Sequence, residues 1–401
     1  MHMTDNRPIL KKGDYEVIVV GGGIAGVAAA VAAARCGAQT LLLEKSIVLG
    51  GLATAGLISW YEPLCDGAGQ KMIGGIAEEL IRLSIRYGFG NLPVEWKEGV
   101  MRTEPPKRMA SLFSPTLFAM ALDEYLRENH VELVLDCLAS YPVMAEKRCC
   151  GIVAEVKEGR AFYGADMVVD ATGDASVFHA AGAPTVDGQN FMSFVAHGVD
   201  VQDIEAFSQT GSMLSMRKWM KAGSDMNGSG HPEGMPLSKG LTSEDITDFV
   251  LTGRRLLFEK LKAQPADARD VSMLPFMPQF RTIRRIVGKL DFNAVDRQAF
   301  PRSIGSSGDF RKEIGKGKHF HIPYEALYNE AFPNLFAAGR IISAPWGDGW
   351  EIARVIPTCA LTGQAAGVAA ALCLKHKTDA DALPYPALFE ALKEQSTLWI
   401  D

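Results

Sequence analysis

Between Tyr15 and Glu44 the chain reads as strand, glycine-rich turn, helix and second strand. This unit of about thirty residues limits the possible folds more than any other feature. Tyr15 to Val20 is β-branched and ends without charge, as a buried parallel strand does. Gly21-x-Gly23-x-x-Gly26 follows, then an alanine-rich helix to Arg35 that Gly37 terminates. Gly21 permits the tight turn, Gly23 lets backbone approach a pyrophosphate, and Gly26 lets helix and strand pack closely. The helix start then offers unpaired N–H groups to phosphate. Glu44 ends the second strand, eighteen residues after Gly26. Its carboxylate suits a ribose diol and would repel a 2′-phosphate, which disfavours an NADP-type ligand. The plain alternative is a glycine-rich turn followed by a surface glutamate.

Composition removes other classes. A chain of 401 residues carries a prior of two to three domains, and 47% apolar with 22% charged residues is ordinary for globular proteins. Disordered, collagen-like and coiled-coil readings fall away. The net charge of −6 lacks the basic excess of a nucleic-acid binder. Seven cysteines without a CxxC pair predict reduced thiols and a cytoplasmic protein, and eight scattered histidines show no metal-ligand spacing. The uncharged run from Val17 to Ala34 is mostly Ala and Gly, and acids precede it, so neither a membrane span nor a signal peptide is expected.

Along the chain, residues 1–14 read as a loose tail. Helices are expected at 72–87, from Pro115 to Asn129, from Thr242 to about Lys262, and from Ile356 to about Lys375. Val131–Val134 and Ile152–Val156 read as strands, the second in a β-meander. Asp166 to Asp174 reads as a buried strand and turn, and Asn334 to Gly339 as a short buried strand. Ala222 to Gly240 lacks periodicity and reads as a long loop or flap.

A dinucleotide site alone leaves NAD and FAD open. Glycine-terminated elements recur at Gly50-Gly51, at Ala171-Thr-Gly-Asp174 and near the C-terminus. With VIVVGGGIAG (17–26), LLLEKSIVLGGLATAG (41–56), LCDGAG (64–69), VVDATGDA (168–175), FRTIRRIVG (280–288), HIPYEAL (321–327), NLFAAGRIIS (334–343) and ARVIPTCALTGQAAGVAAAL (353–372), the chain resembles the FAD-dependent oxidoreductase family over nearly its whole length. The resemblance implies an α/β fold: a glutathione-reductase-type, FAD-binding, Rossmann-like domain with an inserted mixed α+β substrate domain. The FAD domain would comprise 1–58, 108–185 and 326–401, and the substrate or cap region 59–107 and 186–325.

It also implies non-covalent FAD. Gly21, Gly23, Ile24, Ala25 and Gly26 would hold the pyrophosphate, and Glu44 and Lys45 would meet the adenosine ribose. Gly50, Gly51 and Ala53 would pass near the ribityl chain and flavin. Ala139 would touch adenine through its backbone, and Thr172 and Gly173 would cover the adenosine side. Gly339 and Arg340 would sit by the ribityl and pyrophosphate, although many relatives of this superfamily carry Gly-Asp there. The helix start at Val355-Ile356 would point N–H groups at the flavin N1–C2 carbonyl, where reduced flavin is negative. Arg354 would add positive charge, or else form a surface ion pair.

Flavin chemistry needs a hydride partner and often a base. His319 and His321 would share one face of a strand and are the candidate bases. Arg281, Arg284 and Arg285, read at helical spacing, form a basic cluster for a carboxylate substrate or for domain-fixing ion pairs. Cys65 reads as structural, and Trp346, Asp348 and Trp350 as a pocket lining or a plug. No second GxGxxG is present, so the unknown electron donor or acceptor would share the flavin pocket with a small-molecule substrate. The expected function is hydride transfer between that substrate and flavin N5. Its rivals are a flavin monooxygenase or halogenase, and a non-catalytic nucleotide-binding protein.

Overall fold

The structure, a computed structural model, describes residues 8–97, 108–225, 227–311 and 315–400. Its centre is a seven-stranded sheet. β1 (Leu10–Val20) leads through α1 (Ile24–Arg35) to β2 (Thr40–Leu43), and the two strands pair in parallel from Val17↔Thr40 to Val20↔Leu43. Glu132–Val134 extends the sheet in parallel beyond β2. On the other side of β1 lies Gly159–Asp170, also parallel. The far edge of Gly159–Asp170 is shared. Arg148–Val156 takes its first half antiparallel, and Leu335–Ala337 takes Val168–Asp170 in parallel. Leu138–Ala145 closes the expected meander. Thus a strand from residue 335 onward completes a sheet begun at residue 10.

Val17–Val20, Leu41–Leu43 and Val168–Val169 are buried, as strands covered on both faces must be. α1 covers one face with alanines, and the long Ile356–His376 helix lies against it. Small residues set their spacing. A Cβ on Gly363 would fall 2.1 Å from the Ala25 carbonyl oxygen, and one on Gly367 would fall 2.0 Å from that of Ala29. By length and composition the Ile356–His376 helix could cross a membrane, but 89% of its most apolar stretch is buried inside the protein. The uncharged Val17–Ala34 run divides into β1, turn and α1.

A smaller sheet of Ser193–Asp200, Lys218–Gly223 and Arg269–Met273 has its own apolar cluster of Phe194, Ala196, Ala222 and Leu257. The Ser243–Lys262 helix packs on it, capped by Thr242 Oγ1 accepting from the Asp245 N–H. This unit joins the main body through the chain after the second glycine loop. Phe276 N–H donates to the Ala55 carbonyl, and Gln279 Nε2 to that of Gly56.

Two expectations change. The predicted tail is strand from Leu10, because its backbone pairs with Ala161–Gly164 although its side chains stay largely exposed; residues 1–7 lie outside the described residues. Ala222 and Gly223 end a strand, and the loop beyond them is pinned by mutual backbone hydrogen bonds between Asn190 and Ser238.

Candidate functional site

The carboxyl ends of β1, β2 and Gly159–Asp170 converge on one glycine-lined hollow. In parallel α/β sheets ligands bind at such ends. Gly21 has φ +103°, and a Cβ there would lie 2.6 Å from the Ala171 carbonyl oxygen. A Cβ on Gly26 would lie 1.7 Å from that of Gly21. Both glycines are therefore demanded by the fold. Gly23 is different: its φ is −67° and nothing lies within 4 Å of a Cβ built on it. Its missing side chain leaves open space in front of the α1 N-terminus, whose first N–H groups have no side-chain cap. Ile24 and Ala25 are buried behind this edge.

The second loop closes beside it. Gly50 N–H donates to the Gly22 carbonyl at 2.8 Å, and Gly50 and Gly51 have φ of +95° and +55°. Ala53 is buried below them. Glu44 is fixed by two backbone donors, Gly22 N–H at 2.5 Å and Ser46 N–H at 2.7 Å, one on each oxygen. Lys45 points to solvent. Asp136 and Cys137 donate backbone N–H groups to Ser46 and Glu44, which brings half-buried Ala139 to the same corner.

The opposite wall hangs from Asp170. One of its oxygens accepts from Thr172 N–H and Oγ1, the other from Val177 and Phe178 N–H. Burial still pushes its pKa up to about 6. Ala338 N–H donates to the Asp170 carbonyl, Gly339 N–H to Thr362 Oγ1, and Arg340 Nε to the Gly173 carbonyl at 2.8 Å. Burial lowers the Arg340 pKa.

At the start of the C-terminal long helix, Val355 is the N-cap and contributes no side-chain hydrogen bond. Ile356 N–H donates to Glu62 Oε2 at 3.3 Å. Glu62 keeps some accessible surface, yet its carboxyl sits deep enough that burial pushes its pKa up to about 7, against the pull of backbone N–H groups and of Arg354. Arg354 bonds Glu351 and lies over the Trp350 and Phe310 rings at 4.8 and 5.5 Å. Arg281 is drawn into the same neighbourhood. Its pKa is lowered by burial and then by the charge of Arg354.

The arginine cluster is not helical. Asn190 Oδ1 accepts from both Arg281 and Thr282 N–H at 2.9 Å, which replaces helical acceptors, and Arg284–Ile286 pairs as a strand with Thr185–Asp187. Arg285 meets Asp291 at 3.3 Å and Arg284 meets Asp187 at 3.9 Å. His319 and His321 do share one strand face, opposite Gly308 and Ser306. His319 is buried between Arg297, at 3.2 Å, and Asp66, at 3.6 Å. His321 lies 3.4 Å from Ser306. The other face of that ribbon carries Ser307, which meets Thr358 in the first turn of the long helix. The histidines are thus turned away from that helix start. Trp346 packs edge-on to Trp350, Asp348 pairs with Arg311, and burial raises the pKa of Cys65.

The family model for FAD dependent oxidoreductases matches residues 16–275 and 277–392. The chain belongs to this family. It is an FAD-dependent oxidoreductase, and FAD is its cofactor. The open space at Gly23, the uncapped α1 and the fixed Glu44 fit a dinucleotide. No curated protein matches the sequence. By structure the chain is similar to a geranylgeranyl bacteriochlorophyll reductase-like protein from Thermoplasma acidophilum, at 13% identity and TM-score 0.46, over 95% of this chain and 83% of that one. It is also similar to a p-nitrophenol 4-monooxygenase from Pseudomonas putida, at 16% identity and TM-score 0.46, over 96% and 84%.

Glu62 is a candidate the sequence does not single out, although it adjoins the aromatic pair Trp60-Tyr61 just after the glycine loop. Nothing local marks it, because its partner Ile356 is 294 residues away. A groove of about 630 Å³ lined by Asp14, Gln39, Arg148 and Asp379 lies at the other end of β1, away from the glycine hollow.

Proposed function

We propose that this flavoenzyme oxidises or reduces a small organic molecule by hydride exchange with flavin N5, holding FAD non-covalently in a glutathione-reductase-type arrangement. The pyrophosphate lies against Gly21–Gly26 and the α1 N-terminus, the adenosine ribose against Glu44, and the flavin end towards Gly50–Ala53 and Val355–Ile356. Support comes from the sheet: its FAD-side elements are drawn from both ends of the chain, with Leu335–Ala337 and Gly339 seated against Asp170 and α1. FAD supplies a two-electron donor or acceptor when bound.

One observation carries the reading towards proton-coupled chemistry. Glu62 is a carboxyl poised near pH 7 at the helix start assigned to the flavin ring. A group with that pKa can take or return the proton that accompanies a hydride. It replaces the histidines as the base in this proposal. Arg281 and Arg354 line the same region and favour an anionic species near it. Among the described residues there is one glycine-rich strand–turn–helix cradle, so the electron partner shares the flavin pocket.

Anaerobic mixing of the flavoprotein with candidate reductants, followed near 450 nm, tests this. A substrate that bleaches the flavin without oxygen, with the rate reduced about a hundredfold in Glu62→Gln, supports it. Bleaching by NADPH alone, followed by rapid oxygen use once air is admitted, would identify a monooxygenase. A flavin that no reductant bleaches would point to a binding protein.

A further inference from the structure

The chain from Leu57 to Glu62 links the glycine loop to the helix start, and between them hangs a second polar cluster. Leu57 is a buried non-glycine residue at φ 59°, a conformation that costs free energy and gathers at functional sites. Its carbonyl lies 3.1 Å from His197 Nε2. Ser59 is fully buried, 3.4 Å from the same nitrogen, and accepts from Arg217. Arg217 stands 3.3 Å from His197 and lies over the rings of Phe89 and Trp219 at 5.5 and 5.7 Å. His197 and Trp219 are register partners in the small sheet.

The cluster is unbalanced in charge. Arg217 has no ion-pair partner among the described residues, and burial alone lowers its pKa to about 10. Arg217 Nε and Trp219 Nε1 are buried without an acceptor among the described residues. His197 is held neutral: burial, then the Arg217 charge, lowers its pKa to about 4. Lys221, exposed, lies over the Trp219 ring at 5.1 Å. Half-burying a guanidinium that has a hydroxyl partner but no ion pair carries a cost, which a fold selected for stability alone would offset by pairing or replacing it. A planar fork between aromatic walls matches a carboxylate, and a single charge suits a monoanion better than a phosphate dianion.

We infer that Arg217, supported by Ser59 and His197 and walled by Phe89 and Trp219, binds the carboxylate of a small organic acid that is the substrate. This rests on the proposed redox function only in naming the anion a substrate; the anion site is independent of it.

The test is calorimetric titration of the purified full-length protein with sodium benzoate, and with benzyl alcohol as its uncharged counterpart. Saturable binding of benzoate but not of benzyl alcohol is expected, weakened about tenfold or more in Arg217→Gln. Arg217→Lys keeps the charge and loses the fork, so it should weaken binding severalfold; it decides the matter if Arg217→Gln does not fold. Absence of benzoate binding to the unmodified protein, equal binding of benzyl alcohol, or unchanged affinity in a folded Arg217 variant would overturn the inference. A protein lacking redox-active flavin that still binds benzoate through Arg217 would instead remove the redox function and leave the anion site standing.

Discussion

Gly23 and Gly26 sit three residues apart in one motif and answer to different demands. Gly26 has no room for a Cβ, whereas Gly23 has room and an ordinary φ. Gly26 serves folding, and Gly23 leaves open space before the α1 N-terminus. Glu44 is a third case, since backbone donors fix both of its oxygens. Glu62 carries a pH signature. Its folded pKa of about 7 lies above the ordinary value of 4.5, so between these limits the folded state holds a proton that the unfolded state has released. Its contribution is therefore favourable at low pH and is lost as pH rises from about 4.5 through 7. Denaturant unfolding of the apoprotein at a series of pH values should show stability falling over that window, with a shallower fall in Glu62→Gln. Superimposable profiles would mean that the carboxyl is not held as described.

At the scale of elements, the contact between α1 and the Ile356–His376 helix fixes the site. It sets where Ala25, Gly339 and the long helix start stand relative to one another. Gly363 and Gly367 allow the two backbones to approach within reach of a single methyl group. Gly367→Ala should then destabilise by about 1–3 kcal/mol, although alanine is the better helix former by about 1 kcal/mol. An equal or raised melting temperature would show that the helices have slack. Elements driven by local pattern were legible in the sequence: β1, α1, β2 and the Thr242 cap all carry their signals within a few neighbours. The arginine segment was not, because Asn190, some ninety residues earlier, supplies the acceptors that pull Arg281 and Thr282 out of helical geometry. The strand at Leu10–Asp14 was also missed, since its exposed charged side chains hide the backbone pairing that orders it.

For the whole molecule, one sheet gathers the glycine motif near the N-terminus, Asp170 in the middle and Leu335–Ala337 near the end. The glycine-lined hollow was legible because glycine spacing is a local signal that survives such dispersal. The two polar clusters beside it were not. Ser59 and Arg217 are 158 residues apart, and Glu62 and Ile356 are 294 apart, so only the folded chain brings them together. In the proposed function, FAD lies in the space Gly23 leaves open. The measurement that tests it is the visible spectrum and FAD content of the purified protein beside Gly23→Ala, with a thermal melt of both apoproteins. The parent protein should show bands near roughly 370 and 450 nm and yield FAD on release. Gly23→Ala should have an apo melting temperature within about 2 °C of the parent's and lose FAD retention. A folded Gly23→Ala protein that retains FAD as well as the parent would contradict it.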